Sequence, residues 1–369
     1  MKESLRQAGR RVMVGFEGMA PSADVRTLIR QYGASQVILF ARNVDTPEQV
    51  ADLARELQAI ARDAGQDLPL MIGVDQEGGR VARLREPWTV WPSMRALGRL
   101  GSESHAERMG RALADELLPC GIHWDFAPVV DVDTNPKNPV IGDRSFGADP
   151  ELVGRLGAAM IRGLQGGGLA ACAKHFPGHG DTDLDSHHEL PVVTHSPRRL
   201  EEVELRPFRT AVEAGVVSVM TAHVLVPELD ETLPATLSPR IVEPLLRGRM
   251  KYDGVVVTDD MEMKAVAKGW GAGEAAVLAA LAGSDLLAIC RTPAAQVEAV
   301  EALVRAQESD RIASKDMESA VARLRRLKER FLLPYHDPDP RQARLAAGAS
   351  EGKRLAEEIA ERSGLPARA

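Results

Sequence analysis

Residues 174–191 read KHFPGHGDTDLDSHHELP, which packs Lys174, His175, His179, Asp181, Asp183, Asp185, His187 and His188 among glycines and prolines. Five of the nine histidines fall between positions 175 and 195, so titratable chemistry is concentrated in one stretch. Asp185 and His187 are two residues apart. On an extended segment, side chains at i and i+2 share a side, so the carboxylate can orient the imidazole and favour its protonated form. An imidazole held that way can give a proton and later take one back. Asp259 follows the apolar run GVVVT, which puts a carboxylate at the end of a rigid element, where it can act as a nucleophile. The plain alternative is a solvated loop with incidental histidines, and the elements that carry these residues decide between the two.

Those elements alternate. Short apolar runs rich in β-branched residues predict strands at 12–16, 36–40, 70–74, 123–127, 170–175, 216–222, 254–258 and 285–289. Several, such as VILF and GVVVT, are apolar throughout, as strands covered on both faces must be. Helical periodicity fills most of the gaps, at 46–64, 104–118, 150–165, 198–214, 240–250, 273–282 and 294–306. Thr46, Pro47 and Glu48 form a helix start, with a capping hydroxyl, a proline at the first position and an acid in the first turn. Eight βα units predict an α/β fold, a TIM-like (β/α)8 barrel in a single domain. A doubly wound open sheet is the competing arrangement, but no GxGxxG follows the first strand and no GxxxxGK[ST] occurs. The 76–103 connection, with Trp88 and Trp91, is too long for an ordinary loop and is expected to fold over one end of the barrel. Helices at 294–306 and 314–331 complete a barrel unit over 1–333. Prolines at 334, 338 and 340 then introduce a C-terminal helical extension over 334–369, whose charged segment 348–361 reads as a solvated helix or frayed tail.

Composition narrows the class. The 369 residues are 44% hydrophobic and 27% charged, as in soluble globular proteins. A net charge of −7 without a basic block argues against nucleic acid as a partner. No apolar run approaches the ~20 residues of a membrane span, so no membrane association is expected. Cys120, Cys172 and Cys290 are widely spaced, and two lie in apolar runs, which reads as buried thiols in a reducing compartment. With a polar N-terminal segment, MKESLRQAGRR, the chain is expected in the cytoplasm.

In a barrel, the residues just after the strands gather at one end. Here they include Asp75, Asp131, Arg144, Lys174, His175, Asp185, His187, His223 and Asp259. Singly, each has an ordinary explanation: Asp75 as a turn cap, Arg144 as a partner of Asp143 or Asp131, Asp259 or Asp260 as a helix cap. Polar groups at six such strand ends on one face suit a polyhydroxylated ligand, whose hydroxyls need paired donors and acceptors.

These segments resemble family 3 glycoside hydrolases, specifically the bacterial β-N-acetylglucosaminidases of cell-wall recycling. The matching pieces are VDQEGGRV (74–81), GDRSFG (142–147), KHFPGHGDTDLDSHHELP (174–191), MTAHV (220–224) and VVTDDMEM (256–263), in the family's order. The resemblance implies a TIM-like barrel and a retaining mechanism. Asp259 corresponds to the nucleophile, and His187 to the general acid/base, with Asp185 as its dyad partner. Asp75, Arg144, Lys174 and His175 correspond to sugar-binding residues, and Arg83 is a further sugar contact. The implied activity is exo-acting removal of terminal β-linked N-acetylglucosamine from muropeptide or chitin-derived fragments, without cofactor or metal. An imidazole in place of the second carboxylate leaves phosphorolysis open, because a neutral ring does not repel an anionic acceptor. A phosphorylase and a β-glucosidase are therefore the alternatives within the same chemistry. The loop bearing His187 is expected to move during turnover. A metal-dependent barrel hydrolase is a distant alternative: the first strand ends in Gly15–Phe16–Glu17 rather than a histidine pair, and no HExxH or CxxC is present.

Overall fold

The computed structural model describes residues 2–182, 186 and 189–367. Its eight barrel strands lie close to the expected positions: β1 Val12–Val14, β2 Gln36–Leu39, β3 Met71–Val74, β4 Trp124–Asp125, β5 Ala170–Phe176, β6 Ser218–Thr221, β7 Val255–Thr258 and β8 Leu287–Ile289. All neighbours pair in parallel, in the order β8-β1-β2-β3-β4-β5-β6-β7. The ring closes where Leu286 N donates to Val256 O and Thr258 N to Leu286 O, joining β7 to β8. The chain thus forms a TIM-like (β/α)8 barrel.

The two-residue period of the strands sorts their side chains into two apolar clusters. Val12, Val14, Val37, Leu39, Ile72, Val74, Val219 and Val256 face the surrounding helices. Met13, Ile38, Met71, Trp124, Cys172, Met220, Val255 and Val257 fill the interior. Strands buried on both sides therefore read as continuous apolar runs. Inside, Trp124 Nε1 donates to Ser218 Oγ at 2.9 Å. Gly73 is required there, since a Cβ would come within 2.9 Å of the Phe126 ring. The helix Ser314–Leu332 lies against the strands' N-terminal ends and sends Leu324, Leu327 and Leu332 into this interior cluster. All three cysteines are free and buried.

The helix at Pro47–Asp63 starts as its sequence predicts, with Thr46 Oγ1 accepting from Gln49 N at 3.1 Å. The segment expected as one helix over 198–214 is instead broken into Pro197–Arg199, a π turn at Leu200–Glu204, and Arg206–Glu213. Pro207 has no N–H to continue the ladder, and Leu205 N bonds back to Leu200 O instead. The expected helix at 273–282 is the second half of Lys264–Leu281, which kinks at Gly271, with φ 70° and ψ 163°.

The C-terminal segment departs from expectation more clearly. Helix Ser350–Ser363 is docked rather than solvated, and Gly352, Leu355, Ala356 and Ile359 are buried along one face. His105 Nε2 meets Glu358 Oε1 at 2.9 Å from helix Glu103–Leu117. The buried Glu116 receives Thr89 Oγ1 at 2.7 Å and Gly348 N at 2.9 Å, which ties the approach to this helix to the 76–103 connection. No helix among the described residues is long and apolar enough to cross a membrane.

Candidate active site

At the C-terminal end of the barrel, the strand ends and their loops enclose an open cavity of about 820 Å³, mouth included. That is within the usual size of small-ligand clefts. Its lining includes Asp75, Arg83, Arg144, Lys174, His175 and Asp259. Six of the eight residues expected from the sequence therefore share one cavity. The other two, Asp185 and His187, lie outside the described residues.

The charges are arranged in a connected network. Lys174, at the end of β5 and almost fully buried, places Nζ 2.9 Å from Asp75 Oδ1 and 2.6 Å from Glu77 Oε1. Arg83 reaches Asp75 Oδ2 at 3.0 Å, so both carboxylate oxygens of Asp75 are engaged. Arg144 forks onto Glu77, with Nε 2.8 Å from Oε2 and Nη2 2.7 Å from Oε1. The ordinary alternative for Arg144, a pairing with Asp143 or Asp131, is not the one formed. Asp143 instead pairs with Arg80 at 3.3 Å, and Asp131 is committed to the histidines.

Burial alone would raise the carboxyls of Asp75 and Glu77. For Asp75, the charges of Lys174 and Arg83 override burial and hold it well below the ordinary carboxylate range. For Glu77, Arg144 and Lys174 do the same and hold it at about 2. Burial would likewise lower Lys174, yet Asp75 and Glu77 raise it, so the ammonium stays charged.

His175 is fixed from two sides. Its Nδ1 lies 2.7 Å from Asp131 Oδ2, and Arg144 Nη2 lies 3.3 Å from its Nε2. One edge of the ring thus faces a carboxylate and the other a guanidinium. Asp131 also accepts from His179 N at 2.7 Å. His179 is itself enclosed, with Nδ1 2.8 Å from Thr182 Oγ1 and Nε2 3.1 Å from Ser186 Oγ. Burial is the main influence on its imidazole and pushes it down to about 4, so it is a neutral loop-former.

Asp259 stands at the end of β7. Its backbone N–H donates to Thr221 O at 3.1 Å, and its Oδ1 accepts from Asp260 N at 2.8 Å. Oδ2 has no hydrogen bond among the described residues. Burial would raise this carboxyl, but the imidazoles of His175 and His223, the Asp260 amide and Lys174 outweigh it and keep it ionised. An ionised carboxylate with one oxygen anchored and the other unbonded among the described residues can act as a nucleophile. Its neighbour Asp260 does not cap the following helix, as expected from the sequence, because that helix begins at Lys264. Instead, Asp260 Oδ1 accepts from Glu262 N and Cys290 N, bridging the turn after β7 to β8.

The family model described as glycosyl hydrolase family 3 N terminal domain matches residues 5–327. The chain is a member of glycosyl hydrolase family 3. Among its family relatives, a β-hexosaminidase of Bordetella avium (strain 197N) is 37% identical over 333 residues, covering 88% of this chain and 90% of that protein. β-Hexosaminidase A of Pseudoalteromonas piscicida is 34% identical over 95% of this chain, which spans 65% of that relative's length. The solved family 3 β-N-acetylglucosaminidase from Paenibacillus sp. str. FPU-7 superposes with a TM-score of 0.90 at 44% identity, covering 98% of this chain and 69% of that one.

Within this family 3 barrel, the sequence reading missed Glu77, which binds both Lys174 and Arg144. A signal was available: Glu77 is two residues after Asp75, and i, i+2 residues of an extended segment share a side. Asp131, named from the sequence as a strand-end acid and an ordinary partner for Arg144, instead anchors both His175 and His179. Asp125, at the end of β4, is fully buried with Oδ1 accepting from Gln76 N, and burial raises its carboxyl well above the ordinary range. Burial thus disfavours its charged form beneath the ionised network. His223 is held by Thr236 Oγ1 at 2.8 Å and the Asp260 carbonyl at 3.0 Å, so it supports the strand ends around Asp259.

Proposed function

We propose that this family 3 glycoside hydrolase is a retaining exo-β-N-acetylglucosaminidase that removes terminal β-linked N-acetylglucosamine from muropeptide or chitin-derived fragments. The observation that carries the proposal is the ionised, half-anchored carboxylate of Asp259, which shares one cavity with Asp75, Arg83, Arg144, Lys174 and His175. The names of the relatives support the choice of sugar.

In this mechanism the free oxygen of Asp259 attacks the anomeric carbon. His187, oriented by Asp185, gives its proton to the glycosidic oxygen. The bond from the anomeric carbon to the leaving group breaks, the aglycone departs as an alcohol, and the sugar remains as an ester on Asp259. Water then attacks the same carbon while His187 takes its proton, which frees Asp259 and returns the sugar with its original configuration. Asp75 accepts from sugar hydroxyls with the lone pairs left over from Lys174 and Arg83, and those two cations donate to the same hydroxyls. Arg144 and His175 complete the wall, each fixed by a carboxylate before substrate arrives, so little reorganisation is needed on binding.

Release of p-nitrophenol from its N-acetylglucosaminide and glucoside, each with and without phosphate, tests the sugar and the acceptor together. The proposal expects turnover of the N-acetylglucosaminide without phosphate, abolished in Asp259→Ala. Preference for the glucoside, or dependence on phosphate, would replace it with a β-glucosidase or a phosphorylase.

A further inference from the structure

The end of the barrel opposite the cavity carries a second cluster of charge that the glycosidase chemistry does not use. Lys328 projects from helix Ser314–Leu332 one turn after Leu324, and it is 5% exposed. It lines a narrow cleft of about 320 Å³, mouth included. No group of the described residues accepts a hydrogen bond from its ammonium. The one carboxylate of the cleft, Asp67, is already divided: Oδ1 lies 2.5 Å from Arg10 and Oδ2 lies 2.6 Å from Arg325.

Gln36, the first residue of β2, is 1% exposed and lines the same cleft. Its Oε1 accepts from Ser35 Oγ at 3.1 Å, while its amide N–H groups have no acceptor among the described residues. Two donors on largely buried side chains therefore open onto one cleft without an acceptor from the protein.

We propose that this cleft is a binding site for a small monovalent anion, held between Lys328 Nζ and the Gln36 side-chain amide. The charge count fixes the valence. Arg10, Arg325 and Lys328 face Asp67 and Glu329, the latter 2.8 Å from Arg325, which leaves one positive charge uncompensated. Leu68, Val321 and Leu324 supply apolar walls, which favour a weakly hydrated ion such as bromide, chloride or formate over sulfate or phosphate. Burial lowers the Lys328 ammonium to about 7, with Arg10 adding repulsion, so an anion at this site keeps the ammonium charged. The ion joins the helix that plugs the barrel to the start of β2 and to the segment at 66–68. It therefore acts on stability rather than on turnover.

Thermal unfolding in sodium bromide titrated against sodium gluconate, at constant ionic strength, tests the site. The expected result is a saturable rise in Tm with bromide for the wild type, and a flat response for Lys328→Met and for Gln36→Leu. Crystals of the wild-type chain grown in sodium bromide are expected to show an anomalous peak within hydrogen-bond distance of Lys328 Nζ. A wild-type Tm indifferent to the anion would overturn the proposal. So would the same bromide response in both folded variants, or bromide peaks confined to other surfaces.

Discussion

Glu77 is the residue on which the charge network turns, and its replacement by glutamine tests that network quantitatively. Glu77 is 1% exposed and takes three charge-assisted bonds, from Arg144 Nε, Arg144 Nη2 and Lys174 Nζ, at 2.8, 2.7 and 2.6 Å. Glutamine keeps the shape but removes the charge, leaving Arg144 without its partner. The carboxyl is held at about 2 against an ordinary 4.5. At ~1.4 kcal/mol per pH unit that corresponds to about 3 kcal/mol. Removing one partner from a buried pair costs on the order of 3–5 kcal/mol, which agrees. Because the folded-state value is depressed, this stability is fully present above pH 4.5 and is lost as pH falls from there toward 2. For 369 residues, an unfolding entropy of ~2.1 cal/mol/K per residue gives ~0.8 kcal/mol/K, so the loss is about 4 °C in Tm. Scanning calorimetry of wild type and Glu77→Gln from pH 7 to pH 3 should show that gap at neutral pH and its narrowing below about pH 4.5. Equal Tm values at pH 7, or a gap that ignores pH, would refute the reasoning.

Three further outcomes follow from the same geometry. Asp260 has its carboxyl raised from 3.8 to about 6 by burial, with Glu262 and Asp259 adding repulsion, so its cost is absent near pH 4 and fully present above pH 6. Asp260→Asn keeps the oxygen that accepts from Glu262 N and Cys290 N, and should raise stability at pH 7 by ~1–2 kcal/mol and not at pH 4, as read by denaturant titration. A Cβ at Gly98 would stand 1.6 Å from the Phe146 carbonyl oxygen, so Gly98→Ala should force helix Met94–Leu100 away from the loop carrying Arg144. It should destabilise the chain by ~3 kcal/mol and lower kcat/KM together with Tm. Truncation after residue 348 removes Leu355 and Ile359 from their buried sites and should cost ~3–6 kcal/mol, seen as a lower Tm and earlier cleavage by protease.

The barrel was legible in the sequence because its strands are covered on both faces. Runs such as VIL in β2 and VVV in β7 carry the interior and exterior clusters on alternate residues, with no polar position within them to obscure the pattern. The strand ends were legible for a different reason. Asp75, Lys174, His175 and Asp259 interrupt apolar runs abruptly, and a charge at such a point needs a partner or a ligand. Partnerships across the barrel were not legible. Arg144 and Glu77 are 67 residues apart, and nothing in either segment favours that pairing over Asp143, one position away. The C-terminal helix was misread because Glu351, Lys353, Arg354, Glu357 and Glu358 dominate its composition. Its buried face is a thin stripe of Gly352, Leu355, Ala356 and Ile359, half of it small residues.

The central claim is that the Asp259 carboxylate becomes bonded to the sugar during turnover. Incubation with 5-fluoro-N-acetylglucosaminyl fluoride, followed by peptide mapping by mass spectrometry, tests it directly. The account predicts one fluorosugar ester, on the peptide containing Asp259 and on that side chain. A label on any other residue, or loss of fluoride with no ester formed, would contradict it.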